Sequence, residues 1–175
     1  FRGYGTSDGH PTAGTMLSDA LSVFEKTRLL LSEHDLNPKR LFVMGRSMGS
    51  APALEIATHA GDAIDGLIIE SGFAHTIDLV RRLGMLPLED ADEARDGFGN
   101  LEKMASISVP ILILHGLEDW VIPVAEGIAL FENAVAEGKN LVTIPDAGHN
   151  DILVTGMKPY FQAVYDFCGP WEKEP

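Results

Sequence analysis

Four short apolar runs recur along the chain with helix-length segments between them: Leu41-Phe42-Val43-Met44, Leu67-Ile68-Ile69, Ile111-Leu112-Ile113-Leu114 and Leu141-Val142-Thr143-Ile144. Runs this short are strand-sized. The uninterrupted apolar centre of residues 65–70 points to a strand buried on both faces, as in a parallel sheet, because a half-exposed strand would alternate apolar with polar. Strands of this kind alternating with helices predict an α/β fold, a mostly parallel sheet flanked by helices.

The intervening segments carry helical periods. Between residues 16 and 32, Leu17, Ala20, Leu21, Phe24 and Leu31 return at three, four and seven, and Asn37-Pro38 is expected to end that helix. A second helix over 48–59 has small residues, Gly49, Ala51 and Ala53, that allow close packing on the sheet. Pro123 is placed to open a third helix running to about residue 137, with Gly138 closing it. The last helix, 150–167, is interrupted by Gly156 and Pro159 and should kink or split there.

The first apolar run leads into Gly45-Arg46-Ser47-Met48-Gly49. A serine on a sharp strand-to-helix turn has its hydroxyl pushed outward, and flanking glycines leave room for strand and helix to approach each other. Leu117-Glu118-Asp119 follows the third run, and Pro145-Asp146-Ala147-Gly148-His149 follows the fourth. A serine hydroxyl becomes a useful nucleophile when an imidazole takes its proton, and a carboxylate then fixes the tautomer and steadies the imidazolium. Ser47, His149 and Asp119 fit those roles, with the backbone N–H of Met48 as a donor to the oxyanion. Glu118 and Asp146 are the neighbouring acids most easily mistaken for Asp119, and a simple turn cap is the competing role for Asp119 itself. His115 is expected to be structural, hydrogen-bonded near the site. Asp151 is expected to cap the last helix.

The order Ser, Asp, His along the chain is that of the α/β-hydrolases. The whole chain resembles that superfamily through four motifs in sequence. Phe1-Arg2-Gly3-Tyr4-Gly5-Thr6-Ser7-Asp8-Gly9 resembles the loop after the fourth strand, and Gly45-Arg46-Ser47-Met48-Gly49-Ser50 resembles the nucleophile elbow. His115-Gly116-Leu117-Glu118-Asp119-Trp120-Val121-Ile122-Pro123 resembles the acid loop, and Gly148-His149-Asn150-Asp151 the histidine loop. The Arg-Gly-Tyr-Gly opening and the Gly-His-Asn-Asp ending are most similar to the Bem46-like branch, which includes depalmitoylase-type serine hydrolases.

The resemblance implies the C-terminal part of an α/β-hydrolase fold. The earlier strands, and the loop supplying a second oxyanion donor, are expected to lie outside these residues, which would leave this chain alone impaired. It also implies a bare edge on the nucleophile strand, open to self-association, and a small cap insertion over 72–108. That stretch includes a short helix over 75–83, and Ile77, Leu79, Val80, Leu83 and the run Gly84-Met85-Leu86-Pro87-Leu88 could line an acyl pocket or simply pack on the body. The implied activity is cleavage of a carboxylic ester or thioester through an acyl-enzyme on Ser47. The alternatives are a prolyl-oligopeptidase-like peptidase and a non-catalytic binding module of the same fold.

Composition narrows the remaining classes. A chain of 175 residues with 45% hydrophobic content is the size of one domain with its own core. Its formal charge of −13 argues against nucleic acid or an anionic membrane surface as partner. Cys168 is the sole cysteine, so no intrachain disulfide can form, and its place in an apolar helix predicts burial. The six histidines include no His-x-x-x-His pair, so no metal or other cofactor is expected, and the substrate is read as a small molecule or acyl group. With no apolar stretch of bilayer length and no secretory signal, the expected location is the cytoplasm.

Overall fold

The computed structural model describes residues 1–84 and 90–169. Its centre is a parallel sheet of β1 (Phe42–Arg46), β2 (Gly66–Glu70), β3 (Ile111–Gly116) and β4 (Lys139–Ile144), in spatial order β1-β2-β3-β4. Every residue of β2 and β3 is buried, as their unbroken apolar centres predict. Neighbouring side chains on a strand point to opposite faces, and each face has its own helical cover. Leu67, Ile69, Ile111 and Ile113 pack with Phe24 of α1 (Ala13–Glu33), Leu54 of α2 (Ser50–Ala60), Met104 of α5 (Asn100–Met104) and Leu130 of α6 (Val124–Asn133). Ile68, Leu112 and Leu114 pack on the other face with Ile152 of α7 (Ile152–Thr155) and Tyr160 of α8 (Met157–Cys168). Burying each such aliphatic side chain contributes roughly 1.5–3 kcal/mol.

The cover is incomplete at β1. Phe42 meets Phe167 of α8 with ring centroids 5.7 Å apart, but Met44, two residues on, is 49% exposed. With β2 on one side only, β1 is an edge strand of the described sheet.

Several helix ends differ from the sequence expectation. α1 begins at a capping box in which Thr12 and Thr15 serve each other's backbone amides. It ends at Glu33, before Asn37-Pro38. Asp35 takes φ +53 there, Leu36 N–H reaches back to Leu31 O and Asp35 N–H to Ser32 O, which closes the helix by a Schellman-type reversal. Gly138 does not close the third helix either. α6 stops at Asn133, and Lys139 Nζ donates to the carbonyls of Phe131 and Ala134, satisfying acceptors that a longer helix would have used internally. Pro123 sits at the N-cap, one residue before that helix.

The last helix does split, at Gly156, into α7 and α8. Pro159 falls in the first turn of α8, where its missing N–H costs little. Residues 72–108 contain α3 (Thr76–Arg82), α4 (Glu93–Asp96) and α5. Glu93 accepts from the amides of Thr76 and Ile77, and Glu126 of α6 from those of Ala74 and His75, so two carboxylates from elsewhere hold the start of α3. Met85, Leu86, Pro87 and Leu88 lie outside the described residues. Cys168 is half-buried, short of the burial expected, and that burial raises its thiol pKa. Among the described residues, no helix is long and apolar enough to cross a membrane.

Candidate active site

The strand-to-helix turn expected at Ser47 is present and tight. Ser47 has φ +54, a left-handed conformation unusual for a residue with a side chain, and Ser47–Gly49 form a single 3-10 turn between β1 and α2. The turn fits because Gly45 has no side chain: a Cβ there would lie 2.3 Å from Gly49 O and 2.5 Å from the Ala53 Cβ. Gly49 plays no comparable part, since a Cβ on it would meet nothing within 4 Å. Met48 lies on the same turn, its side chain against the apolar cluster of Ala51, Phe73, Leu79 and Ile122.

The acid and the histidine come from the ends of β3 and β4. Gly116 ends β3, and a Cβ there would come within 2.3 Å of Ala147 O, so glycine lets the two loops touch. Leu117 N–H donates to Ile144 O and Glu118 N–H to Ala147 O, locking one loop on the other. Asp151 turns its carboxylate back to the Gly148 amide, with Oδ1 at 2.6 Å, and shapes the histidine loop. Although it stands at the N-cap of α7, its side chain makes no cap hydrogen bond, contrary to the sequence expectation.

These loops bring Ser47, His149 and Asp119 together. His149 Nε2 lies 2.8 Å from Ser47 Oγ, and Nδ1 lies 2.8 Å from Asp119 Oδ2. The other carboxylate oxygen of Asp119 accepts from Val121 N–H at 3.0 Å and Ile122 N–H at 2.8 Å. The two roles weighed for this aspartate, turn cap and imidazole partner, are thus divided between its two oxygens. Glu118 and Asp146 are both exposed, and the carboxylate on His149 Nδ1 is that of Asp119. His115 is fully buried, with Nε2 donating to Ile122 O at 2.8 Å, and burial lowers its pKa.

Three residues around this arrangement escaped the sequence reading. Arg46 and Glu70 end β1 and β2 in register, and Arg46 Nε donates to Glu70 Oε1 at 2.8 Å. Tyr160 donates its hydroxyl to Glu70 Oε2 at 2.7 Å. The available signal was a lone charge ending each of two adjacent apolar strands, at positions that parallel pairing brings side by side.

Next to the site, Phe73, Leu79, Val121, Ile122 and Pro123, with Asp78, Arg81, Arg82 and Glu126, line a cavity of about 460 Å³. Among the described residues, no group of three or more histidine, cysteine or carboxylate side chains is placed to hold a metal ion.

The prolyl oligopeptidase family matches residues 15–171. Human alpha/beta hydrolase domain-containing protein 17B is 29% identical over 157 residues, spanning 90% of this chain and 51% of that protein. The chain therefore spans about half the length of the curated relatives it matches. Among solved structures, the Pyrococcus furiosus esterase Pf2001 superimposes with a TM-score of 0.73 at 22% identity, over 95% of this chain and 67% of that one. Pyrococcus horikoshii acylaminoacyl peptidase gives a TM-score of 0.69 at 17% identity, over 97% of this chain and 32% of the other. At such identities the likeness is one of fold.

Proposed function

Since the chain belongs to the prolyl oligopeptidase family, within the α/β-hydrolase superfamily, we propose that it carries the catalytic machinery of a serine hydrolase that cleaves carboxylic esters or thioesters through an acyl-enzyme on Ser47. The observation that carries this reading is His149, whose two ring nitrogens each lie 2.8 Å from a partner, Ser47 on one side and Asp119 on the other. Both distances fall within the range of about 2.6–3.2 Å that proton transfer requires.

In the forward step His149 Nε2 takes the Ser47 proton as Oγ attacks the acyl carbon. Asp119 Oδ2 holds the Nδ1 proton and steadies the imidazolium. The Met48 N–H donates to the oxyanion, a contribution on the order of 10²–10³ in turnover for one donor. His149 then gives its proton to the leaving alkoxide or thiolate. Water repeats the sequence on the acyl-enzyme, so Ser47 is regenerated and a carboxylic acid is released.

The segment 72–108 acts as a small cap, and the apolar wall of Phe73, Leu79, Val121, Ile122 and Pro123 receives the acyl chain. The Bem46-like motifs support this ester or thioester reading. The family match and the acylaminoacyl peptidase fold favour a second reading, in which the acyl group is a peptide and the leaving group an amine.

One experiment separates the two. Full-length protein is assayed on p-nitrophenyl esters of graded chain length, an acyl thioester and an N-acyl peptide amide, with Ser47→Ala as control. The expected result is turnover of esters and thioester that vanishes in Ser47→Ala; preferred turnover of the peptide amide would give the second reading. Turnover that persists in Ser47→Ala would overturn both.

A further inference from the structure

Glu70 is a carboxylate only 2% exposed, and a buried charge is costly unless it is paired and hydrogen-bonded. Both of its oxygens are used. Oε1 takes Arg46 Nε and Oε2 takes the Tyr160 hydroxyl. Burial and the adjoining carboxylate raise the Tyr160 pKa, so the phenol keeps the proton it donates. The result is a rigid mount at the C-terminal ends of β1 and β2, braced from α8.

Arg46 carries that mount to the opposite side of the site. Its Nη2 donates to the backbone carbonyl of His149 at 2.5 Å and lies 3.3 Å from Asn150 Oδ1. A guanidinium is planar, with donors in a fixed fork, so the position of Glu70 dictates where the His149 carbonyl can sit. Asp119 restrains the ring of the same residue at Nδ1. His149 is therefore held at both ends, backbone and ring, and the residue holding its backbone immediately precedes Ser47 in the chain.

We propose that Arg46 is a positioning residue for His149: seated on Glu70, it fixes the histidine loop relative to the nucleophile turn so that Nε2 stays within reach of Ser47. This deepens the hydrolase reading above and rests on it. The pair could merely strengthen the end of the sheet, in which case turnover would change only in proportion to the folded fraction. Positioning makes a different demand, because displacement of a proton acceptor by about 1 Å can cost 10²-fold in rate with substrate binding unaffected.

The test uses the full-length protein and Arg46→Lys. A lysine ammonium can pair with Glu70, which spares the fold, but it cannot form the fork that also reaches the His149 carbonyl. The expected result is a kcat lower by about tenfold to a hundredfold, KM within about twofold, and an unfolding midpoint close to that of the parent. Should Arg46→Lys misfold, Arg46→Met combined with Glu70→Gln removes both charges together and should show the same split. The proposal is overturned if a folded variant keeps the parent kcat.

A second readout does not need turnover. In nitrogen-resolved NMR the His149 ring should be a single Nδ1–H tautomer in the parent and exchange-broadened in Arg46→Lys. If the parent hydrolyses nothing while the ring loses order in the variant, the hydrolase reading fails, and the catalytic role of Arg46 with it, while its restraint of the His149 ring stands. If the parent is active and the ring and kcat are unchanged in the variant, positioning fails alone.

Discussion

Asp119 Oδ2 lies 2.8 Å from His149 Nδ1 while its other oxygen accepts the amides of Val121 and Ile122. The two backbone donors hold the carboxylate with Oδ2 turned to the His149 ring, and His115 Nε2 lies 3.6 Å from the same oxygen. Asp119→Asn keeps the shape of the group but can turn an amide N–H toward Nδ1, which favours the wrong tautomer. The expected result is a folded protein whose kcat on a p-nitrophenyl ester falls on the order of 10³–10⁴-fold. A loss below about tenfold would show that the contact serves structure only.

The two glycines of the Ser47 turn should behave differently. Gly45→Ala drives a Cβ against the Gly49 carbonyl and the Ala53 Cβ, both fixed parts of β1–α2 packing, and should cost about 1–3 kcal/mol along with activity. Gly49 has φ −68 and open space, so Gly49→Ala should stay within about 1 kcal/mol of the parent. Denaturant unfolding of both variants measures the contrast, and equal losses would contradict it.

That contrast also marks what the sequence could and could not reveal. The alternation of apolar runs made the order of strands and helices legible, and loops that follow strand ends made Ser47, Asp119 and His149 legible. Two helix ends were not, because contacts outside the apolar period decided them: the Lys139 side chain takes the carbonyls at the end of α6, and a backbone reversal at Asp35, not Asn37-Pro38, turns the chain after α1. Arg46 and Glu70 were missed for a related reason. They are 24 residues apart, and only the register of β1 on β2 makes them neighbours.

His115 makes a testable contribution to acid sensitivity. Its side chain is fully buried, its Nδ1 has no hydrogen-bond partner among the described residues, and burial lowers its pKa. The unfolded chain binds a proton there near the ordinary value of about 6.5, whereas the folded chain resists it, so stability is fully present above that value and falls as pH drops below it. His115→Asn removes the titration. Its unfolding midpoint should fall less steeply than the parent's between about pH 6.5 and 5. Parallel slopes would contradict the assignment.

The outer edge of β1 should govern self-association of the 175-residue chain. Edge strands offer unpaired amides and carbonyls to other strands, and the half-exposed Met44 adds an apolar contact. Sedimentation velocity should show association that grows with concentration and weakens in Met44→Lys. A monomer at every concentration would contradict this.

Activation of Ser47 by His149 is probed by labelling the full-length protein with a fluorophosphonate and mapping the adduct by peptide mass spectrometry. A single adduct is expected on Ser47, and it should be lost in His149→Ala. A folded protein that takes no label, or takes it on another serine, would show that His149 does not activate Ser47.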